Sequence, residues 1–303
     1  MSQRSSQNWL IFVDTNIFLD FYRLGGEAAT RQLKALEKHT DSLIICEQVW
    51  MEFLKNRQSV ILQGLQQIKH PTNTEVPAIV VDSQATKMLH RKTKEASDNV
   101  KRLKKTMENI LFEPMHHDNV YKGVARIFKA GTKYNLKRPS KERYAVRNLA
   151  RKRFVLGYPP RKKGDTSIGD AINWEWIIRC AQNSNENHHI LIVSRDSDFG
   201  INYKDDSFIN DWLYREFKDR VSQKRRIELT SKLTLALKRL DETVTQQDEE
   251  VERKIIEDWR AFTRTNSETD AAAMDKIYNR LLNELKNSDS KSVSDLIRLF
   301  PDQ

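Results

Sequence analysis

Cysteine, glycine and proline are scarce in this sequence. Its 303 residues include two Cys, nine Gly and seven Pro. Cys46 and Cys180 lie far apart in apolar surroundings. That rules out a disulfide scaffold or a cysteine-based zinc module and suits a reducing compartment. Long hydrophobic runs are missing too. The longest clean one, Trp9–Val13, is far below the ~20 residues of a membrane-spanning helix. No charged start followed by an apolar stretch marks a secretory signal. A cytoplasmic localisation with no membrane partner is the expectation. The glycine patterns G-x-x-x-x-G-K-[ST] and G-x-G-x-x-G are absent, which removes P-loop ATPases and disfavours nucleotide-cofactor oxidoreductases.

Charge, by contrast, is abundant and uneven. Charged residues make up 31% of the chain and the net charge is +10. Between Tyr121 and Lys163 there are 15 basic residues against Glu142 alone, a net of +14, so the rest of the chain carries about −4. A basic block in a mildly acidic protein is the footprint of a polyanion, most simply nucleic acid. A solvated helical surface would have the same composition. The candidate nucleic-acid contacts are Lys137, Arg138, Arg143, Arg147, Arg151, Lys152, Arg153, Arg161, Lys162 and Lys163.

The hydrophobic pattern alternates strands with helices. Trp9–Val13, Leu43–Cys46 and His189–Ser194 read as short buried strands, and Ile227–Leu229 as a further one. Helices are expected soon after Asp14, over Thr30–Lys38, after Cys46, over Thr86–Ile110, from Thr166 or Ser167, and from Ser231 to Leu240. This order specifies an α/β fold with a parallel sheet. Pro71–Pro77 and residues 157–164 read as loops. From Asp241 the composition turns acidic, and residues 241–303 read as amphipathic helices suited to covering the basic groove, self-association or docking a protein partner.

Sites in open α/β sheets form outside the carboxyl ends of the strands. Asp14 follows the first strand, and Asp196 and Asp198 follow the late one. Glu52 lies six residues past the second strand, and Asp170 in the first turn of its helix. Four carboxylates can meet at one rim. Such a cluster repels itself unless a cation sits within it, and hard divalent ions take oxygen ligands. Each acid also has a structural reading. Asp14 can cap a helix, Ser167 and Asp170 can form a capping box, Asp196 and Asp198 can shape a turn, and Glu52 can be a surface acid. The paired histidines at 116–117 and 188–189 read as surface or core residues, and Trp174 and Trp176 as packing residues.

The residues Val13-Asp14-Thr15-Asn16 after an apolar strand resemble the opening motif of PIN-domain nucleases. Glu52 resembles their second acid. Ile168–Trp176, behind a Gly/Pro/Lys-rich loop, resembles the third motif of the larger bacterial PIN-like branch, and Val193–Asp198 the fourth. The likeness runs over about residues 8–240. It implies a Rossmann-like PIN sandwich with a central parallel sheet, a basic helical insertion over about 56–163, and a C-terminal helical extension over 241–303. It also implies a Mg²⁺- or Mn²⁺-dependent phosphodiesterase, usually an endoribonuclease acting on single-stranded or structured RNA, with DNA cleavage left open. Asp14, Glu52, Asp170 and Asp196 would be the catalytic and metal-binding acids. Thr15, Asn16 and Ser194 would support them, with Asp198 as an additional acid and Asp165 a competitor for the third place. Members of this branch often accompany phage-defence loci, which suggests a defence effector. The alternative is a catalytically silent PIN-like module that binds RNA or a protein.

Overall fold

The computed structural model describes residues 9–24, 26–72, 75–160 and 167–261. Asp165, Arg161, Lys162 and Lys163 lie outside the described residues, as does 262–303. The chain divides into two compact units, 1–252 and 253–303. In the second, the described residues 253–261 are helical.

The first unit is built on a five-stranded parallel sheet. Strand β1 (Trp9–Val13) is buried at all five positions, as a central strand covered on both faces must be. A short helix α1 (Thr15–Asp20) and then α2 (Gly26–Lys38) lead to β2 (Leu43–Cys46). β2 pairs with β1 through Ile11–Leu43 and Phe12–Ile44. The long α3 (Glu47–Gln67) follows, then α4 (Gln84–Phe112), α5 (Pro114–His117) and α6 (Asn119–Lys129). Strand β3 (Asn135–Leu136) extends the sheet beyond β2.

Helices α7 (Glu142–Val155) and α8 (Gly169–Gln182) carry the chain back across the sheet to β4 (His189–Val193). β4 pairs with β1 from Trp9–His189 to Val13–Val193. A hairpin of β5 (Gly200–Tyr203) and β6 (Asp206–Ile209), helix α9 (Asp211–Arg220), strand β7 (Ile227–Thr230) and helix α10 (Leu233–Arg239) follow. Residues 246–252 are helical.

The strand order is β3-β2-β1-β4-β7. The chain winds outward from β1 to β3, then returns to the other side of β1. The β1–β4 boundary is therefore the topological switch point, the place where open α/β sheets form their ligand sites. Trp174 and Trp176 fill the core as expected, at 0% and 2% exposure. Their indole N–H groups donate to Glu216 and to the Ile45 carbonyl.

Within the segment expected as a basic helical insertion over about 56–163, the C-terminal half is tied into the sheet. β3 pairs with β2 through Ile45–Asn135 and Cys46–Leu136. Helix α6 packs on α2, and α7 packs on α8. Residues 119–155 are therefore part of the sandwich. The physical reason lies in their apolar positions: Val124, Ile127, Tyr134, Leu136, Val146 and Ala150 are all buried in the common core. Helix α4, in contrast, buries only Thr86.

Candidate active site

Asp14 begins the site. It follows β1 directly, continues the sheet ladder by donating its N–H to the Val193 carbonyl at 3.0 Å, and caps α1. Its carboxylate accepts from Thr15 N–H at 2.7 Å, from Asn16 Nδ2 at 3.0 Å and from Ser194 Oγ at 2.5 Å. The helix-cap reading of Asp14 is thus true, and it does not exhaust the residue: the second carboxylate oxygen faces the end of β4.

Asn16 ties the two strand ends together. Its Nδ2 also lies 3.3 Å from Asp196 Oδ2, and its Oδ1 accepts the Arg195 N–H at 3.3 Å. Ser194 Oγ accepts from Asp196 N–H at 3.2 Å. Glu52 enters from α3. Thr15 Oγ1 donates to Glu52 Oε2 at 2.9 Å, and Gln48 Nε2 donates to Oε1 at 2.7 Å. Both carboxylate oxygens are held while the residue stays half-buried. Gly169, at the start of α8, abuts the same group: a Cβ there would stand 2.4 Å from Glu52 Oε1.

The structure therefore brings Asp14, Thr15, Asn16, Glu52, Ser194 and Asp196 into one connected cluster. Asp170 follows Gly169 in the first turn of α8, half-buried beside the contact with Glu52. Its neighbour Ser167 accepts the Gly169 N–H at 3.2 Å, so a serine does serve this helix start. Asp198 is buried in the turn between β4 and β5.

The electrostatics follow from this geometry. Burial raises the Asp14 carboxyl to about 7, and the Asp196 charge adds to the rise. The Ser194 hydroxyl and Thr15 N–H oppose it, and Glu52 adds a smaller upward push. Cys46, at the end of β2, is no nucleophile, because burial pushes its thiol up to about 12.

Among the described residues, no group of three or more His, Cys, Asp or Glu side chains is arranged to hold a metal ion. The donor set is nevertheless of the right chemistry. It consists of carboxylate oxygens, which hard divalent cations prefer. The two acids that raise Asp14, Asp196 and Glu52, do so by like-charge repulsion, which a cation reverses.

Among the expected nucleic-acid contacts, Lys137, Arg138, Arg151 and Lys152 are exposed, and Arg143 and Arg147 are half-buried. Arg138 and Arg143 lie 3.6 and 3.7 Å from Glu47. Arg153 corrects the expectation. It is 4% exposed, bonded to Glu175 at 2.9 Å, to Glu216 and to the Pro159 carbonyl. It is a buried structural cation on the inner face of α7. His116 and His117 are exposed.

Two supporting residues are not evident from the motifs. Gln48 sits one helical turn before Glu52, a spacing that puts both on one face. Arg195 lies between Ser194 and Asp196 and is buried. A charged residue inside a strand-end motif was the available signal.

No curated protein and no solved structure matches this chain. A family model described as PIN domain matches residues 11–199, from inside β1 to the turn after β4. That span contains every member of the cluster and covers well over half of the sequence, and so the chain belongs to the PIN-domain family, with its nuclease-type fold.

Proposed function

We propose that this chain is a divalent-metal-dependent endonuclease that hydrolyses phosphodiester bonds, with RNA as its substrate. The observation that carries the reading is the pairing of buried Asp14 with Asp196 and Glu52 at the β1–β4 switch point. Placing like charges together there costs folding free energy, and a phosphodiesterase site with a cation gives that cost a use.

Mg²⁺ or Mn²⁺, when bound, supplies Lewis-acid activation of water and neutralises charge on the phosphate. Asp14 and Asp196 would hold the ion, with Glu52 and Asp170 completing the set. Asn16 and Ser194 keep the Asp14 carboxylate in one orientation. Thr15 and Gln48 do the same for Glu52, which orients the attacking water. Water adds to phosphorus and the P–O3′ bond breaks, leaving a 3′-hydroxyl and a 5′-phosphate. The exposed Lys137, Arg138, Arg151 and Lys152 position the strand by phosphate contacts. A phage-defence role is part of this reading and rests on the motif resemblance.

The test is cleavage of labelled single-stranded RNA and DNA with Mn²⁺, with EDTA and with Asp196→Asn. Metal-dependent cutting of RNA that disappears in Asp196→Asn supports the reading. Salt-sensitive RNA binding with no cutting under any condition favours a silent binding module instead.

A further inference from the structure

The turn that carries Ser194 and Asp196 has a buried arginine at its centre. Arg195 is 6% exposed. Its guanidinium pairs with Asp20 at the C-terminal end of α1. Its Nε donates to the Ser231 carbonyl at 3.4 Å, and its Nη2 lies 3.5 Å from Glu252 Oε1.

Glu252 does two things at once. It sits in the helical run 246–252, 4% exposed. Its carboxylate accepts the N–H groups of Leu233 at 2.5 Å and Thr234 at 3.1 Å, and so caps α10. The same carboxylate faces Arg195. Asp20 in turn takes Arg23 at 2.7 Å. The result is a chain of two cations and two anions, Arg23, Asp20, Arg195 and Glu252, in which Arg195 lies between the two anions. Buried ion pairs contribute little net stability, because desolvation offsets their attraction. What such a set does supply is fixed geometry, since removing one partner leaves a buried charge without its counter-ion.

That geometry bears on the metal-binding acids. The Arg195 backbone N–H is held by Asn16, and Asp196 N–H by Ser194. The side chain of Arg195 anchors the same turn through Asp20, Ser231 and Glu252. A shift of this turn changes the separation between Asp196 and Asp14, the two principal ligands of the proposed site.

We infer that Glu252 is a positioning residue for the site: through Arg195 it fixes the Ser194–Asp196 turn, so that divalent-cation binding depends on the Glu252–Arg195 pairing. The inference rests on reading Asp14 and Asp196 as a metal site.

The experiment compares Glu252→Gln with Asp248→Asn in the full chain. Gln keeps an acceptor for the α10 N-terminus and removes the charge opposite Arg195. Asp248 is a control on the same helical run: it is buried and pairs with Arg31 rather than with the turn. Two quantities are read, amide hydrogen exchange of a peptide spanning 190–200 without metal, and the Mn²⁺ midpoint by titration calorimetry.

Glu252→Gln is expected to speed exchange in the 194–198 turn at least fivefold and to raise the Mn²⁺ midpoint several-fold. Asp248→Asn should change melting alone. Arg195→Lys, which keeps the charge but cannot bridge Asp20 and Glu252 together, should act like Glu252→Gln if the latter folds poorly. Unchanged exchange in the turn for both variants overturns the inference. A wild-type chain that takes up no Mn²⁺ overturns the metal-site reading instead, and the exchange data still decide the role of Glu252.

Discussion

Ser194 Oγ and Asp14 Oδ2 are 2.5 Å apart across 180 residues of sequence. That one hydrogen bond joins the ends of two neighbouring parallel strands at the sheet's switch point. It orients a buried carboxylate that Asp196 and Glu52 push toward its neutral form.

Asp14 therefore opposes folding when no metal is present. Its carboxyl titrates near 7 in the folded chain, against 3.8 ordinarily. A raised carboxyl lowers stability above its unfolded value, and the loss grows until the folded value is passed. Asn carries no such cost. In EDTA, Asp14→Asn is expected to melt a few degrees above wild type at pH 8. The difference should shrink as pH falls from about 7 and vanish near 4, by melting curves across that range.

Ser194→Ala removes the hydroxyl that opposes the rise at Asp14. It also leaves Asp196 N–H without its acceptor. The variant should lose about 1–2 kcal/mol of stability and need a higher pH for half-maximal Mn²⁺ uptake. Denaturant melts and calorimetry at several pH values check both parts.

Gly169→Ala probes Glu52 without replacing it. The new methyl would meet Glu52 Oε1 at 2.4 Å and Gln48 Nε2 at 2.9 Å. Both are ends of flexible side chains, so the fold absorbs the change with a small shift in melting. Glu52 must move, and cleavage should fall at least tenfold. Equal loss of melting temperature and activity would mean that the substitution only unfolds the protein.

The basic helix α7 separates into two roles. Arg153→Ala leaves Glu175 and Glu216 with Arg220 as their remaining cation among the described residues, and should cost about 3 kcal/mol. Neutralising the exposed Arg151 and Lys152 should leave melting unchanged. It should flatten the salt dependence of RNA binding by about 0.7 for each phosphate that the protein no longer neutralises. An unchanged slope would take these side chains out of the substrate path.

The parts legible in the sequence are those fixed by burial on both faces. β1 and β2 are continuous apolar runs and β4 is one after His189, while β7 shows only Ile227 and Leu229 around Glu228. The ends of β1 and β4 placed Asp14 and Asp196 at one edge. β3 is two residues long and sits in the basic segment, so no pattern marked it. The β5–β6 hairpin turns at Lys204 (φ 52°) without an Asn-Gly or Asp-Gly signal, and its face carrying Ile201 and Tyr203 is exposed. Gly200 is the trace of it, since a Cβ there would stand 2.0 Å from the Phe208 carbonyl. Arg153 was misread for a related reason. Composition counts charges, whereas helical phase decides which of them turn inward, and Arg153 lies on the face that meets α8. Gln48 is marked by its i,i+4 spacing to Glu52, whereas Asp20 and Glu252 depend on side-chain reach across the fold, which spacing along the chain does not encode.

The most direct test of the central claim is the melting temperature of wild type and Asp14→Asn, each with EDTA and with Mn²⁺ at pH 8. A ligand that binds only the folded state raises its melting temperature. The expected result is a reversal: Asp14→Asn melts higher in EDTA, and wild type melts higher in Mn²⁺. A wild-type melting temperature that is the same with and without Mn²⁺ would contradict the account.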